Sequence, residues 1–273
     1  MRSGAINLGN PVSSSPLNRG LVGWWLALPQ RMGGGQLLDL CQPGKHSVLT
    51  NTPTWQSAAG RPGGYGAIKM AGSTQQLVVT GNPLAGFSEC TVACWFLAAS
   101  NFFAVNAPVR CLDFGSTGDG YRLLLDSANP SKMNFIISEA FSSGTAISDA
   151  AFPTNTWTHC AGTLSTGGTV TLYINGIAQA TTATKAATFS HTVNLTLGQD
   201  SDASKTGNQD DMRLWSRCLS ASEMMSIYND SRTGYGLTLN RLPARAYGTA
   251  GGGGGGNRSA AVWYETYRAG VRV

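Results

Sequence analysis

The sequence predicts an all-β domain, a sandwich or a barrel, and two observations carry that prediction. The composition is rich in glycine, with 35 among 273 residues, and poor in charge, at 12%. Glycine and asparagine supply the positive φ angles that tight turns need, whereas a helical bundle would contain more Glu, Lys and Leu. In addition, short runs of strand length recur along the chain, separated by turn sequences such as GSTGDG, STGG and GQDSD.

The strand pattern extends from Leu17 to about Tyr235. Within TVTLYINGIAQA, the dipeptide Asn175-Gly176 predicts a type I′ hairpin turn, because both central residues of that turn need positive φ. We expect strands over the segments richest in β-branched and aromatic residues, which are 21–28, 65–70, 75–80, 89–98, 110–114, 121–126, 132–138, 156–164, 169–176, 193–199 and 211–215.

One helix is predicted in the body, over SASEMMSIYND. Ser220 and Glu223 have the spacing of a capping box, in which each side chain accepts a hydrogen bond from the other residue's backbone N–H. Met224, Ile227 and Tyr228 follow at helical spacing. We interpret this apolar stripe as core packing, so the helix is expected to lie against the sheet.

Two terminal arms flank this body, which we place at 17–235. Residues 1–16 are polar, and NPVSSSP suits neither a helix nor a central strand. Residues 236–273 contain a run of six glycines, typical of a flexible linker, and then AAVWYETYRAGVRV, which predicts a strand that docks on its own body or on a neighbouring chain. The expected assembly residues of this arm are Arg241, Arg245, Trp263, Tyr264, Tyr267 and Arg268.

Charge is unevenly distributed along the chain. The formal net charge is +5, and residues 241–273 hold five arginines against the single acid Glu265, which leaves the body near neutral. A near-neutral body argues against a nucleic-acid-binding domain, which carries a dense basic face. Neither a secretory signal nor a membrane-spanning run is apparent. We therefore expect the six cysteines to be reduced, and no membrane partner.

Four sequence blocks follow one another in a characteristic order, and they are GLVGWWLAL (20–28), LLDLCQPGKHSVLTNTPTW (37–55), TWTHCAGTLSTGGTVTLYINGIAQA (156–180) and LTLGQDSDASKTGNQDDMRLWSRCLSASEM (195–224). Together they resemble the concanavalin A-like jelly-roll superfamily, in particular its laminin-G-like branch. The resemblance implies a two-sheet antiparallel jelly-roll sandwich of some twelve to fourteen strands, with one short C-terminal helix and extended terminal arms. The chain departs from the family pattern at Cys41-Gln42-Pro43 and at Gln209.

The adjacent acids Asp210 and Asp211 raise the question of catalysis. Glycosidases use two carboxylates on opposite sides of a sugar, and glycosidases of this superfamily carry them at alternating strand positions. Adjacent residues of a strand point to opposite faces, so these two are not expected to form a catalytic pair. We expect Asp211 to be solvated and Asp210 to point inward, and we predict no catalytic residues and no enzymatic activity.

The resemblance implies a structural Ca²⁺ site. In related domains, an acid in the first loop and one at the start of the closing strand often hold the ion. This correspondence points to Asp39 and Asp210, with a backbone carbonyl near Gly44. Oxygen ligands from different loops suit Ca²⁺. The alternative is that Asp210 accepts hydrogen bonds from backbone N–H groups of a neighbouring loop, because a buried carboxylate needs partners.

Aromatic residues in loops are the candidates for glycan binding, namely Phe102, Phe103 and Tyr121. The alternative is that they pack in the core or between subunits.

Two functions are compatible with these features. The first is a non-enzymatic structural or adhesive protein of a virus particle, such as a phage capsid or tail decoration or fibre subunit exposing a lectin-like domain on the virion surface. Its terminal arms would contact neighbouring subunits in a homo-oligomer or particle lattice, and a host-surface glycan would be a further partner. The second is a carbohydrate-binding module of a bacterial cell-surface or matrix protein, located outside the cell.

Overall fold

The computed structural model describes residues 15–27, 32–33, 35–41, 45–56, 61–64, 66–71, 75–99, 109–114, 120–126, 131–139, 142–185, 194–200 and 206–233. The described strands form two antiparallel sheets of nine strands each. This confirms the jelly-roll prediction in its main feature, with more strands than the expected twelve to fourteen.

Sheet I contains the strands β1 (Leu21–Trp25), β5 (Thr54–Gln56), β6 (Ala67–Ala71), β8 (Cys90–Ala98), β13 (Thr158–Leu164), β14 (Thr169–Ile174), β15 (Ile177–Ala178), β16 (Ala183–Thr184) and β18 (Thr206–Trp215). Their order is β15-β14-β13-β8-β18-β6-β5, with β1 paired to β18 and β16 paired to β14. The long strand β18 therefore has β8 on one side, and on the other side β6 along its first half and β1 along its second.

Sheet II contains the strands β2 (Met32–Gly33), β3 (Gln36–Leu37), β4 (Ser47–Thr50), β7 (Gln76–Val79), β9 (Val109–Phe114), β10 (Gly120–Asp126), β11 (Lys132–Glu139), β12 (Ser142–Ile147) and β17 (Leu195–Asp200). Their order is β12-β11-β10-β9-β17-β7-β4-β3-β2. Sequence neighbours β9 to β12 form one continuous antiparallel meander at the end of this sheet.

The main core lies between the two sheets and is built from alternate residues of each strand. Sheet I contributes Val92, Cys94 and Phe96 of β8, and sheet II contributes Leu123 and Leu125 of β10. Alternation places every second side chain on the same face. At one point the sheets approach very closely, because a Cβ added to Gly162 would lie 2.2 Å from the Phe135 ring. Glycine is thus required there for the ring to pack.

A second layer covers the outer face of sheet I. The helix α1 (Ala221–Thr233) and a short 3-10 turn (Pro16–Asn18) pack on this face. The apolar residues that join them to the sheet are Leu17, Ala93, Ala161, Tyr173, Trp215, Leu219, Met224 and Ile227. The predicted core-facing stripe of the helix is therefore confirmed at Met224 and Ile227.

The local sequence signals are also confirmed. The N–H of Ser220 donates to Oε2 of Glu223 at 2.9 Å, and the N–H of Glu223 donates to Oγ of Ser220 at 3.3 Å, as a capping box requires. Asn175 and Gly176 have φ of 50° and 80°, as a type I′ turn requires. Strand β18 differs from its prediction, since it begins at Thr206 rather than residue 211.

The chain divides into two compact units, Met1–Asn240 and Arg241–Val273. The second unit and the whole predicted arm at 236–273 lie outside the described residues. Among the described residues, no helix has the length and apolar character needed to cross a membrane.

Candidate functional site

A β-bulge in β18 redirects the acid pair. The pairing of β18 with β8 shifts register between Asp210 and Arg213, and Asp211 has a φ of 55°. A bulge inserts an extra residue and re-aims the side chains around it. Asp210 and Asp211 consequently both contact the guanidinium of Arg61, at 3.0 Å from Nε and 3.6 Å from Nη2 respectively. Asp210 is paired with Trp95 of β8, whose ring packs on α1. The expectations that Asp210 points into the sandwich and that the two acids face opposite sides are therefore both wrong.

Asp210 holds the chain that follows β1. Its Oδ1 accepts a hydrogen bond of 2.9 Å from the N–H of Ala27, while its Oδ2 faces Nε of Arg61. Of the two predicted roles, the hydrogen bond to backbone is the one the described contacts show. This hydrogen bond joins β18 to a segment 183 residues earlier in the sequence.

Asp211 is buried, which contradicts the expectation that it is solvated. Its carboxylate forms a two-point ion pair with Arg213, with Nε to Oδ1 at 2.7 Å and Nη2 to Oδ2 at 3.0 Å. The indole N–H of Trp24 donates to the same Oδ1 at 2.7 Å. The Arg213 guanidinium also lies 4.2 Å from the centre of the Trp24 ring, a cation–π distance. Paired charges and hydrogen bonds are what make such burial tolerable.

Arg61 connects the acid pair to the end of the helix. Its Nη1 donates to the carbonyl oxygens of Pro62 and Ser231. Ser231 lies in the last turn of α1, where carbonyl groups lack helical partners and the helix dipole favours a cation. The Arg61 guanidinium also lies 5.2 Å from the centre of the Trp95 ring, and the Trp95 indole N–H donates to Oγ of Ser231.

An aromatic group completes this cluster on the helix side. The ring of Trp95 stacks on Tyr228 at 5.7 Å and meets His159 edge-on at 5.5 Å. The N–H of His159 donates to Oδ1 of Asn175 at 3.0 Å, which joins the cluster to the predicted hairpin turn. Burial lowers the pKa of His159 to about 3, so its imidazole is neutral at physiological pH.

We refer to Arg61, Asp210, Asp211 and Arg213 as the ion-pair cluster. Its formal charges sum to zero, and all four side chains are buried. Burial raises the pKa of Asp210 to about 6, while the Arg61 charge opposes that rise. A catalytic carboxylate must reach a substrate, and these acids instead contact protein groups. The arrangement suits a structural junction between β18, β1, the Arg61 loop and α1.

The predicted calcium ligand Asp39 also binds backbone. Its Oδ1 accepts hydrogen bonds from the N–H groups of Trp24 at 2.9 Å and Cys41 at 2.8 Å. Thus Asp39 and Asp210 hold backbone groups at Trp24 and Ala27, three residues apart on the same chain segment.

These contacts do not fit a calcium ion at Asp210. Ca²⁺ needs six to eight oxygen ligands, whereas Asp210 already faces a cation, Arg61, and one backbone donor. The described residues contain no cluster of three or more metal-binding side chains. Gly44, the third predicted ligand, lies outside the described residues, so the full predicted set of Asp39, Gly44 and Asp210 is not tested and stays a prediction.

The predicted glycan-binding aromatics are not brought together by the described structure. Tyr121 is fully buried in the main core, on the inner face of β10. It corresponds to the packing alternative, because Tyr121, Leu123 and Leu125 are alternate residues of β10 and all belong to the main core. Phe102 and Phe103 lie outside the described residues, as do the six predicted assembly residues of the C-terminal arm.

Sequence reasoning missed the two arginines of the cluster. Arg61 directly precedes a Pro-Gly-Gly turn sequence, and Arg213 stands in a strand where alternation predicts an outward side chain. One signal was available in the sequence. An acid that is predicted to be buried, in a chain with so few charges, requires a buried cation, although nothing local identifies which arginine supplies it.

The outer face of sheet II differs from that of sheet I. A row of residues crosses four of its strands in register, with Gln36 opposite Val48, Val48 opposite Val78, and Val78 opposite Thr196. Val48 is 44% exposed and the others are half-buried. We call the row, together with Thr50 and Gln76 beside it, the neutral face. These six side chains present amide, hydroxyl and methyl groups without charge, and beyond Thr196 the same register reaches the acid Asp113 of β9 and the base Arg122 of β10.

Comparison with known proteins agrees with this architecture. Residues 71–225 match the family model Laminin_G_3, which is described as the concanavalin A-like lectin/glucanases superfamily. No curated protein matches the chain.

Several solved structures resemble the fold at low sequence identity. The receptor binding domain of botulinum neurotoxin C/D mosaic serotype is 14% identical, with a TM-score of 0.61, over 78% of this chain and 51% of that one. The binding domain of botulinum neurotoxin serotype D is also 14% identical, with a TM-score of 0.62, over 80% and 53%. The binding domain of Paraclostridial Mosquitocidal Protein 1 is 16% identical, with a TM-score of 0.63, over 78% and 53%. The chain thus spans about half of each of these structures, and the likeness concerns the fold.

Proposed function

The chain belongs to the concanavalin A-like lectin/glucanases superfamily, and from that premise we propose that it is a non-enzymatic module that binds a neutral glycan. The observation that carries this proposal is the neutral face of sheet II. Its amide and hydroxyl groups, such as those of Gln76 and Thr196, suit the hydroxyl groups of an uncharged sugar. Its methyl groups, as in Val48, suit the apolar face of a sugar ring.

The burial of the ion-pair cluster supports a non-enzymatic role. Glycoside hydrolysis needs two carboxylates that flank a bond of the substrate. Asp210 and Asp211 instead contact arginines in the protein interior. The related structures also support a binding role, because three of them are named as binding or receptor-binding domains.

A glycan array with the full chain tests this proposal. We expect binding to neutral oligosaccharides, and Gln76→Ala to weaken it at least several-fold, since a bidentate amide contact to sugar hydroxyls is lost. Thr182→Ala serves as the matched control, because Thr182 is exposed near sheet I, away from the neutral face. An array without hits would overturn the proposal. Retained binding in the double variant Gln36→Ala, Gln76→Ala would move the site elsewhere, and Phe102→Ala, Phe103→Ala then tests the loop alternative.

The setting we propose is the surface of a virus particle, with the chain as a capsid or tail decoration or fibre subunit. Three features support this setting: a polar N-terminal arm, a basic C-terminal arm with an aromatic strand, and a nearly neutral body. In this proposal the arms bind neighbouring subunits and leave the sandwich exposed. Deletion of residues 237–273 is expected to prevent incorporation into the particle, as measured by co-sedimentation, and to lower the oligomeric mass in solution. Incorporation of the shortened chain would contradict the role of the arm.

A second setting is a carbohydrate-binding module of a bacterial cell-surface or matrix protein, and it is favoured by the lectin-like family. Gene neighbourhood separates the two settings. Neighbouring capsid, portal or tail genes support the particle, whereas polysaccharide-utilisation genes support the cell surface.

A further inference from the structure

Two cysteines face each other across neighbouring strands of sheet I. In the antiparallel pairing of β13 with β8, Cys160 is the direct partner of Cys94. Both side chains are fully buried and belong to the main core, so they point to the same inner face. The other cysteine of β8, Cys90, has Leu164 as its partner and therefore has no thiol opposite it.

The hydrogen bonds of the next residue define the geometry of this pair. The N–H of His159 donates to Oδ1 of Asn175, and its carbonyl accepts the N–H of Asn175 at 2.8 Å, so both backbone groups of His159 point toward the hairpin of β14. Backbone groups alternate in direction along a strand, so those of Cys160 point toward β8. Cys94 and Cys160 therefore form a hydrogen-bonded pair, with Cα atoms about 5.5 Å apart. Disulfides span Cα distances of about 4.4–6.8 Å.

We propose that Cys94 and Cys160 form an intrachain disulfide when the chain folds in an oxidising compartment. The bond would join the two central strands β8 and β13 and enclose the β9–β12 meander of sheet II between its ends. This stabilises the sandwich by restricting the unfolded chain. In a reducing cytosol the same two side chains pack as thiols, as in the described structure.

The oxidation is a thiol–disulfide exchange with a low-molecular-weight disulfide such as oxidised glutathione. One cysteine thiolate attacks a sulfur of the glutathione disulfide, forms a mixed disulfide and releases one glutathione thiolate. The second cysteine thiolate attacks the cysteine sulfur of the mixed disulfide, forms the Cys94–Cys160 bond and releases the second. Two protein thiols lose two protons and two electrons, and one oxidised glutathione becomes two reduced molecules.

The timing of this step follows from burial. Exchange requires a thiolate, and burial raises the pKa of the Cys160 thiol well above its usual value. Neither sulfur is accessible to a reagent in the folded domain. The bond therefore forms while the two strands come together, before the second sheet covers them, and the native reduced protein oxidises slowly.

Oxidative refolding tests the proposal. Full-length chain is denatured and reduced, refolded in a buffer of reduced and oxidised glutathione, denatured again, alkylated and mapped by mass spectrometry. We expect a cross-linked peptide pair containing Cys94 and Cys160, absent in Cys94→Ser and present in the matched control Cys41→Ser. The oxidised protein should melt about 5–10 °C above the same protein denatured and refolded in dithiothreitol. Complete alkylation of all cysteines in the refolded wild-type protein, or a cross-link joining another pair, would overturn it.

A second arm tests the timing and does not require any variant to fold. Native reduced protein is left in the same glutathione buffer for the refolding period and then mapped in the same way. We expect its Cys94 and Cys160 to be alkylated, in contrast to the refolded sample. Equal cross-linking in both samples would overturn the inference that the bond forms before the sheets close.

Discussion

On the outer face of sheet I, four charged side chains are buried among strands, a loop and α1, whereas the outer face of sheet II carries a row of uncharged side chains that is exposed at Val48 and half-buried elsewhere. On the first face, the charged side chains form ion pairs with one another. Arg61 contacts both acids and the end of α1. On the second face, Val48 is 44% exposed, and Val78 and Thr196 are half-buried. One side of the sandwich is therefore a junction of paired charges, and the other side carries a partly exposed row of uncharged side chains.

The largest expected effect comes from breaking the junction with Arg61→Met. Removal of this cation leaves Asp210 without its ion partner in a buried position, which typically costs about 3–5 kcal/mol. Urea denaturation at pH 8 measures the loss in free energy of unfolding. Arg232→Met is the control, because Arg232 is exposed and contacts only the Tyr228 ring and hydroxyl among the described contacts, and we expect a change below about 1 kcal/mol.

The Arg61→Met effect should depend on pH. In the folded wild-type protein the pKa of Asp210 is raised to about 6, so stability from this group is highest below about pH 4 and falls as pH rises through 6. Loss of Arg61 raises that pKa further. The variant therefore loses less relative to wild type at pH 5, where Asp210 is protonated in both folded states, than at pH 8. An equal loss at both pH values would show that the ion pair is not the main contribution.

A smaller effect is expected where α1 meets the hairpin. Gly176 has a φ of +80°, and a Cβ added there would lie 3.1 Å from Sδ and 3.2 Å from Cα of Met225. Gly176→Ala should lower the free energy of unfolding by about 2 kcal/mol or more. Gly86→Ala is the control, since Gly86 has a φ of +85° but nothing within 4 Å of an added Cβ. The difference between the two losses in free energy of unfolding measures the steric contact of residue 176 with α1. Equal losses would show that this contact does not contribute.

A still smaller effect is expected at the start of α1. The Arg217 side chain holds the pKa of Glu223 at about 2, below its usual value. A lowered pKa means that this stabilisation is present above about pH 4.5 and is lost as pH falls toward 2. Glu223→Ala should cost about 1 kcal/mol at pH 7, measured by thermal unfolding. Glu223→Gln keeps a side-chain acceptor for the N–H of Ser220, but its stability should no longer fall as the pH drops from about 4.5 toward 2. If this variant loses stability over that pH range as the wild-type protein does, the prediction is wrong.

The smallest expected effect is that of calcium. Because Asp210 faces Arg61, addition of Ca²⁺ to metal-free protein is expected to leave the melting temperature unchanged and to give no calorimetric heat. If Ca²⁺ raises the melting temperature and Asp39→Asn removes that rise, a calcium site lies at Asp39 and our expectation is wrong. Asp39→Asn without calcium serves as the reference, because loss of the carboxylate also weakens the Trp24 and Cys41 hydrogen bonds.

The sequence alone determined the features that depend on near neighbours. Three such features follow from residues only a few positions apart in the sequence. They are the strand alternation, the type I′ turn at Asn175-Gly176 and the capping box at Ser220 and Glu223. Short strands such as β5 and β16 were not predicted, because two or three residues carry no measurable alternation. They exist because longer neighbouring strands offer unpaired backbone groups to them.

Only the tertiary structure decided how the acid pair is used. Alternation placed Asp210 and Asp211 on opposite faces, and the bulge at Asp211 brings both to Arg61, about 150 residues earlier in the chain. The partners of a buried charge are selected by which loops and strands meet after folding, and the sequence near the acids holds no record of that choice. The same reasoning applies to Cys94 and Cys160. Their types and strands were visible in the sequence, and the register of β8 with β13 made them partners.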